Sequence, residues 1–419
     1  MILTRLALTI LTLVSSLFSF AAYTLLLKNL GASQRVDALF YAASVPLSVA
    51  GVTSGVLLYL LPPRLIQVNK SVQDATIQSL GLVVFGVCGV ASAFALVMWL
   101  SGHEARFWLI WLAFANTAAM LLLTTLASCL AQARGAYVST AVPPLLTSSG
   151  LLLGALGAVG TQIEWLLVAG QWTGSAVGLW WVARALHIRS YRSISRGFRR
   201  SWVTLTPLRT HGISIALGTS AFTLLQPIDA ALCTQLGGGS VSIMSYAQRV
   251  LVAVGTAISL GAYTLSAQTS NDAIRAGGHA GLCQQANKET SRVVAFGLIA
   301  WVLYQAGGSR VLAMLLSAAT MSGIDLMRLL DCIGWMLLGV GPMAAMPYLF
   351  RVFYAMGAYA KPAVLGVCTV ALYAVLAWLL LGRFEIHAMA YAYGAVWWVV
   401  LLAALIWLNN VPAEMPESR

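Results

Sequence analysis

The sequence predicts an all-α polytopic membrane protein of about twelve transmembrane helices, in two pseudo-symmetric six-helix lobes around a central cavity. Composition is the first observation behind that expectation. Of 419 residues, 60% are hydrophobic and only 9% charged, and the mean hydropathy is +0.85. An average soluble domain is about a quarter charged, so a water-soluble fold is excluded. The second observation is a series of twelve charge-poor runs, each close to the ~20 residues a helix needs to cross hydrocarbon. The third is a one-sided distribution of basic residues.

The runs cover approximately 6–27, 36–60, 76–100, 107–131, 138–160 and 163–186 in the first half. Those of the second half are 212–235, 241–268, 288–305, 332–350, 363–381 and 386–408. The first is longer than a signal-peptide core and reads as a span. With the N-terminus inside, 17 of the 24 basic residues fall on the cytoplasmic side. Six fall outside (Lys28, Arg35, Arg106, Arg310, Arg328, Arg383), and Arg249 lies within a span. The positive-inside rule then puts both termini in the cytoplasm.

The longest polar stretch divides the chain. It carries Arg189, Arg192, Arg196, Arg199 and Arg200 and reads as a basic cytoplasmic linker over 187–211, lying on anionic headgroups or serving a regulatory partner. The expected domains are an N-terminal lobe at 1–186, this linker, a C-terminal lobe at 212–408 and a cytoplasmic tail at 409–419. A weak internal repeat accompanies the division: Val36 and Tyr41 to Val45 match Val241 and Tyr246 to Val250 at an offset of 205. Leu30-Gly31 and Leu236-Gly237 match one residue out of step. Two parallel six-span repeats are a common build for transporters, with the substrate held between them.

A net charge of +12 on so apolar a chain faces a membrane surface rather than nucleic acid. The six cysteines form no CxxC pair, and no disulfide framework or metal site is expected. There is no Gly-rich phosphate loop, no HExxH and no segment large enough for a catalytic domain, so neither an enzyme nor a cofactor is expected.

Ionisable groups inside the membrane cost about 2.5 to 3.5 kcal/mol even on insertion scales, so each is a functional candidate. Asp229 follows Pro227 in Leu225-Gln226-Pro227-Ile228-Asp229, Arg249 follows Gln248, and Asp37 opens the second span. Asp229 and Arg249 flank the turn Gly237-Gly238-Gly239 at similar depth, roughly 12 and 15 Å below it. They can meet as a structural ion pair, or Arg249 can face a cavity and hold an anionic headgroup with Asp229 balancing its charge. Asp37 has a blander reading, a solvated acid at a helix N-terminus.

Three stretches resemble the MurJ (MviN) lipid II flippases. They are Leu30 to Ala42 followed by Val45-Pro46, Gly239 to Val250, and Phe353 to Pro362. The resemblance covers nearly the whole chain and implies the fold of the multidrug/oligosaccharidyl-lipid/polysaccharide exporter superfamily. It places Asp37 on that family's functional acid and Arg249 on one of its cavity arginines. The family's other cavity arginines fall near Ser16, Ala22 and Ala50, which are not basic here, and its last two helices have no counterpart.

The resulting expectation is a flippase for a polyprenyl pyrophosphate-linked saccharide, either a peptidoglycan precursor or a surface polysaccharide unit. Arg249, Asp37, Asp229 and Gln226 are the substrate-binding candidates, with Lys28 and Arg35 as further contributors. Expected partners are the lipid-linked saccharide, membrane lipids and cell-envelope glycosyltransferases or a polymerase. Two rivals remain open: a cation-coupled exporter of small amphiphiles using Asp37 or Asp229, and a non-transporting scaffold of a biosynthetic complex.

Overall fold

The computed structural model describes residues 2–66, 68–102, 105–136, 138–161, 165–186, 210–316 and 322–410, and for 259–277 the backbone alone. All regular structure among the described residues is helical. The chain forms two compact units, Met1–Ala216 and Leu217–Arg419. The basic stretch 187–209 and the tail 411–419 lie outside the described residues.

The first unit holds α1 (Ile2–Leu30), α2 (Gln34–Leu65), α3 (Lys70–Leu100), α4 (Ala105–Ala133), α5 (Val138–Thr161) and α6 (Trp165–Ala185). Here α4 packs on α2, α3 and α6, while α5 packs on α1 and α6. Hydrophobic burial cannot drive helices together in lipid, so contact relies on close approach and on hydrogen bonds between helices. Both are present. Ser148 on α5 bonds Ser15 and Ser19 on α1, each at 2.9 Å. Thr147 meets Ser175 on α6 at 3.2 Å, and Ser54 on α2 meets Thr125 on α4 at 3.1 Å. At Gly150, Gly154, Gly170 and Gly174, an added Cβ would come within 2.2 to 2.4 Å of a carbonyl oxygen on the opposite helix.

One end of this unit is tied by Arg134. Its guanidinium bonds Asp74 at 2.7 Å, Gln73 at 3.2 Å and the Leu186 carbonyl at 3.0 Å. Gln73 in turn donates to the carbonyls of Leu65 and Val68. The two side chains together satisfy carbonyls that helix ends leave without partners and link four chain segments.

The second unit contains α7 (Thr210–Thr223) from Leu217 on, α8 (Leu225–Cys233), α9 (Ser240–Leu303), a π-helical turn at Tyr304–Gly308 and α10 (Ser309–Leu316). It continues with α11 (Gly323–Leu338), α12 (Val340–Ala355), α13 (Ala360–Phe384) and α14 (His387–Asn409). Two of its spans are broken: α7 meets α8, and α11 meets α12, each at 43°. Prolines account for both breaks, because each removes an N–H and frees the carbonyl four residues earlier. Pro342 frees the Leu338 carbonyl, and the indole of Trp398 donates to it at 3.0 Å.

By length and composition, eight helices can cross a membrane, or ten if each bent pair counts as one span. Two others lie outside that count. The described apolar stretch of α1 is Ile10–Leu26, and the 21 residues of α6 extend ~31 Å, enough to cross the hydrocarbon. The described residues of all twelve expected runs therefore lie mainly on helices, two of the runs being bent. The ninth differs from expectation: the apolar stretch runs over Ala280–Leu316, past Gln305 and through the π turn. Arg310, expected in an outer loop, is consequently inside a spanning helix. The turn from α1 to α2 and that from α8 to α9 both contain left-handed glycines, Gly31 (φ 66°) and Gly237 (φ 99°). The two copies of the sequence repeat thus each place a left-handed glycine in the turn, although the second turn is three residues longer.

Candidate functional site

The broken span α7–α8 puts Asp229 in the interior of the second unit, where it is 2% exposed. Pro227 lies in the first turn of α8, just past the break. The carboxylate accepts hydrogen bonds from the Gln248 amide on α9 and from the Tyr373 hydroxyl on α13. Tyr373 is completely buried and edge-on to Tyr393, with ring centroids 6.5 Å apart. Tyr393 donates to the Met343 sulfur at 2.6 Å and packs on Trp397, which stacks against Phe222. An acid from one span is thus held by neutral donors from two others and walled by aromatic rings.

This arrangement corrects the expected pairing of Asp229 with Arg249. The two helices do meet at that depth, but Gln248 reaches the acid. Consecutive helical residues project about 100° apart, so the face of α9 that presents Gln248 to α8 turns Arg249 to another side. Arg249 is half-buried. Gln226 is also half-buried and lies one turn before Asp229 on α8, three residues away.

Asp37 belongs to the first unit. It sits in the first turn of α2 behind the N-cap Ser33, whose hydroxyl accepts from the Val36 amide. There the helix dipole favours a negative charge. It is 8% exposed, so the solvated position that its place near the interface implied is not the one observed. Lys28 ends α1, three residues before the left-handed Gly31.

Tyr373 and Tyr393 were not legible as site residues, because a tyrosine in an apolar run carries no mark of what its hydroxyl will meet. Gln248 was partly legible, being the polar neighbour of Arg249 in an apolar span. No cluster of three or more His, Cys, Asp or Glu with metal-ligand geometry occurs among the described residues.

No protein-family model matches the sequence, and no curated protein sequence matches it significantly. Solved structures do match. The lipid II flippase MurJ in an inward closed conformation is 15% identical with a TM-score of 0.76, over 97% of this chain and 88% of that one. An outward-facing multidrug-resistance MATE transporter of the MOP superfamily is 10% identical with a TM-score of 0.65, over 97% and 94%. The Vibrio cholerae MATE transporter VcmN in its bent form is 15% identical with a TM-score of 0.61, over 97% of each chain.

The chain has the MurJ/MATE fold.

Within that fold the broken spans α7–α8 and α11–α12 have a physical rationale. Non-helical backbone at membrane depth is tolerated only where protein or a water-filled cavity surrounds it. Discontinuous helices are also where transporters build their substrate and ion sites. The matched structures are transporters rather than enzymes.

Proposed function

We propose that this protein is a flippase of the bacterial inner membrane that carries a polyprenyl pyrophosphate-linked saccharide from the cytoplasmic to the outer leaflet. The reading is carried by the agreement of nearly the whole chain with the MurJ fold, joined to the arginine held within a span at Arg249. A pyrophosphate carries about two negative charges, and the planar guanidinium fork suits it better than an ammonium does. Gln226 and Asp229 in the second unit and Asp37 in the first are the other substrate-binding candidates, and both termini are cytoplasmic. Cell-envelope glycosyltransferases or a polymerase would supply and consume such a cargo.

A specific observation favours a second reading, a cation-coupled exporter of small amphiphiles. Asp229 is buried and bonded to two neutral donors. A carboxylate so placed is compensated by a proton or a small cation. The MATE structures match over as much of the chain.

Liposome translocation separates the two. For a flippase, Arg249→Ala abolishes transfer of a fluorescent lipid-linked saccharide, while Asp229→Asn affects its rate or ion dependence. If Arg249→Ala translocates at the parental rate, the arginine does not hold the headgroup. Proton- or sodium-driven efflux of small dyes that Asp229→Asn abolishes then establishes the exporter.

A further inference from the structure

The second unit has a cavity of about 480 Å³ between the π turn and α10 on one side and α11 on the other. That volume is within the ~300–1,000 Å³ usual for small-ligand sites. Its walls carry two opposite charges, Arg310 from α10 and Asp331 from α11. These form no ion pair with each other. Asp331 faces the His387 imidazole at 3.9 Å, while Arg310 and the Gln305 amide have no polar partner among the described residues. Arg310 is exposed six residues before the end of α10, so its guanidinium is open to an anion from outside the protein.

The cavity is built into the backbone. The π turn at Tyr304–Gly308 inserts an extra residue into the helix and swings Gln305 and Arg310 onto the α11 side, and such bulges are frequent at functional sites. The Tyr304 hydroxyl donates to the Leu330 carbonyl at 2.8 Å, pinning the bulge to α11. At Gly334 a Cβ would press on Tyr304 and Gln305 at 3.3 Å, so glycine keeps the floor open. Arg310 lies six residues before the end of α10, or ~9 Å along the axis. Asp331 lies eight residues into α11, or ~12 Å. That depth is where headgroups meet acyl chains. The surrounding surface is apolar and exposed, with Met314 at 74%, Met327 at 60% and Trp335 at 48%.

We propose that this cavity binds the headgroup of a zwitterionic phospholipid, with the phosphate on Arg310 and the ammonium on Asp331. The acyl chains run along the exposed apolar face beside it, on the outer side by the charge partition. A purely anionic headgroup satisfies Arg310 but is repelled by Asp331, so the two charges together select a phosphate–ammonium pair. Its lining includes none of the residues that hold Asp229, so lipid binding there does not depend on which cargo the protein carries.

The test uses the full chain reconstituted in vesicles of equal phosphatidylethanolamine and phosphatidylglycerol, extracted in mild detergent and weighed by native mass spectrometry. The parental protein retains one phosphatidylethanolamine in preference to phosphatidylglycerol. Arg310→Gln reduces that retention about tenfold, equivalent to roughly 1.4 kcal/mol. Asp331→Asn, at a carboxylate 60% exposed and so tolerated by the fold, reverses the preference toward phosphatidylglycerol. Equal retention of both lipids by the parental protein, no retained lipid, or an unchanged preference in a folded Asp331→Asn variant each overturns the proposal.

Discussion

At the scale of single residues, Asp229 depends on two donors that differ in how replaceable they are. Gln248 is a flexible amide at the edge of the site, whereas Tyr373 is a completely buried ring whose hydroxyl has one acceptor. Tyr373→Phe keeps the ring packing and removes only the bond, leaving the acid with one donor fewer. A buried polar group deprived of its partner costs about 1–3 kcal/mol. Thermal unfolding in detergent should register a loss of that size, and Asp229→Leu, which removes the acceptor, combined with Tyr373→Phe should lose less than the two single changes summed, because one bond is counted twice. Strict additivity would mean that the hydroxyl does not support the acid. The identity of the acid was legible, because charge in an apolar run is conspicuous. Its donors were not, since a hydrogen bond between spans 144 residues apart leaves no local trace.

At the scale of elements, the decisive features are close approaches and breaks. Helices α5 and α6 meet through Gly150 and Gly154 on one side and Gly170 and Gly174 on the other, spaced four apart so that each pair shares a face. In an open helical position, glycine to alanine stabilises by roughly 0.5–1 kcal/mol. Gly160 is open, with nothing within 4 Å of an added Cβ, whereas at Gly154 that atom would lie 2.3 Å from the Leu166 carbonyl oxygen. Gly160→Ala is therefore expected to be neutral or stabilising, and Gly154→Ala to destabilise by about 1–3 kcal/mol through overpacking. Folded yield and melting temperature compare the two directly, and equal effects would show that the contact is not tight. The four-residue spacing of these glycines is present in the sequence, yet spacing does not say which helix faces which. The π turn was less legible still, because nothing local in Tyr304 to Gly308 distinguishes it from an ordinary helical turn.

At the scale of the whole molecule, the chain's orientation rests on the 17 to 6 partition of basic residues. Positive charge near a span resists translocation, so the stretch holding Ser195 is expected inside and the turn holding Gly238 outside. Single cysteines at those two positions, in a background lacking the six native cysteines, should react oppositely toward an impermeant maleimide in intact cells. Outward labelling of Ser195→Cys would invert the topology and move the Arg310 cavity to the cytoplasmic leaflet.

The sequence by itself determined that this protein is helical and belongs in a membrane. These follow from a free energy that adds along the chain, the transfer of about 20 apolar residues into hydrocarbon. It also marked Asp229 and Arg249, because a charged residue in an apolar run is conspicuous whatever it later meets. Only the tertiary structure decided what those charges meet. It gave Asp229 to Gln248 and Tyr373, and it extended the ninth span through a π turn, leaving Arg310 across a cavity from Asp331. Contacts of that kind depend on the rotation of one helix against another, and a turn of about 100° per residue exchanges one partner for the next without altering hydropathy.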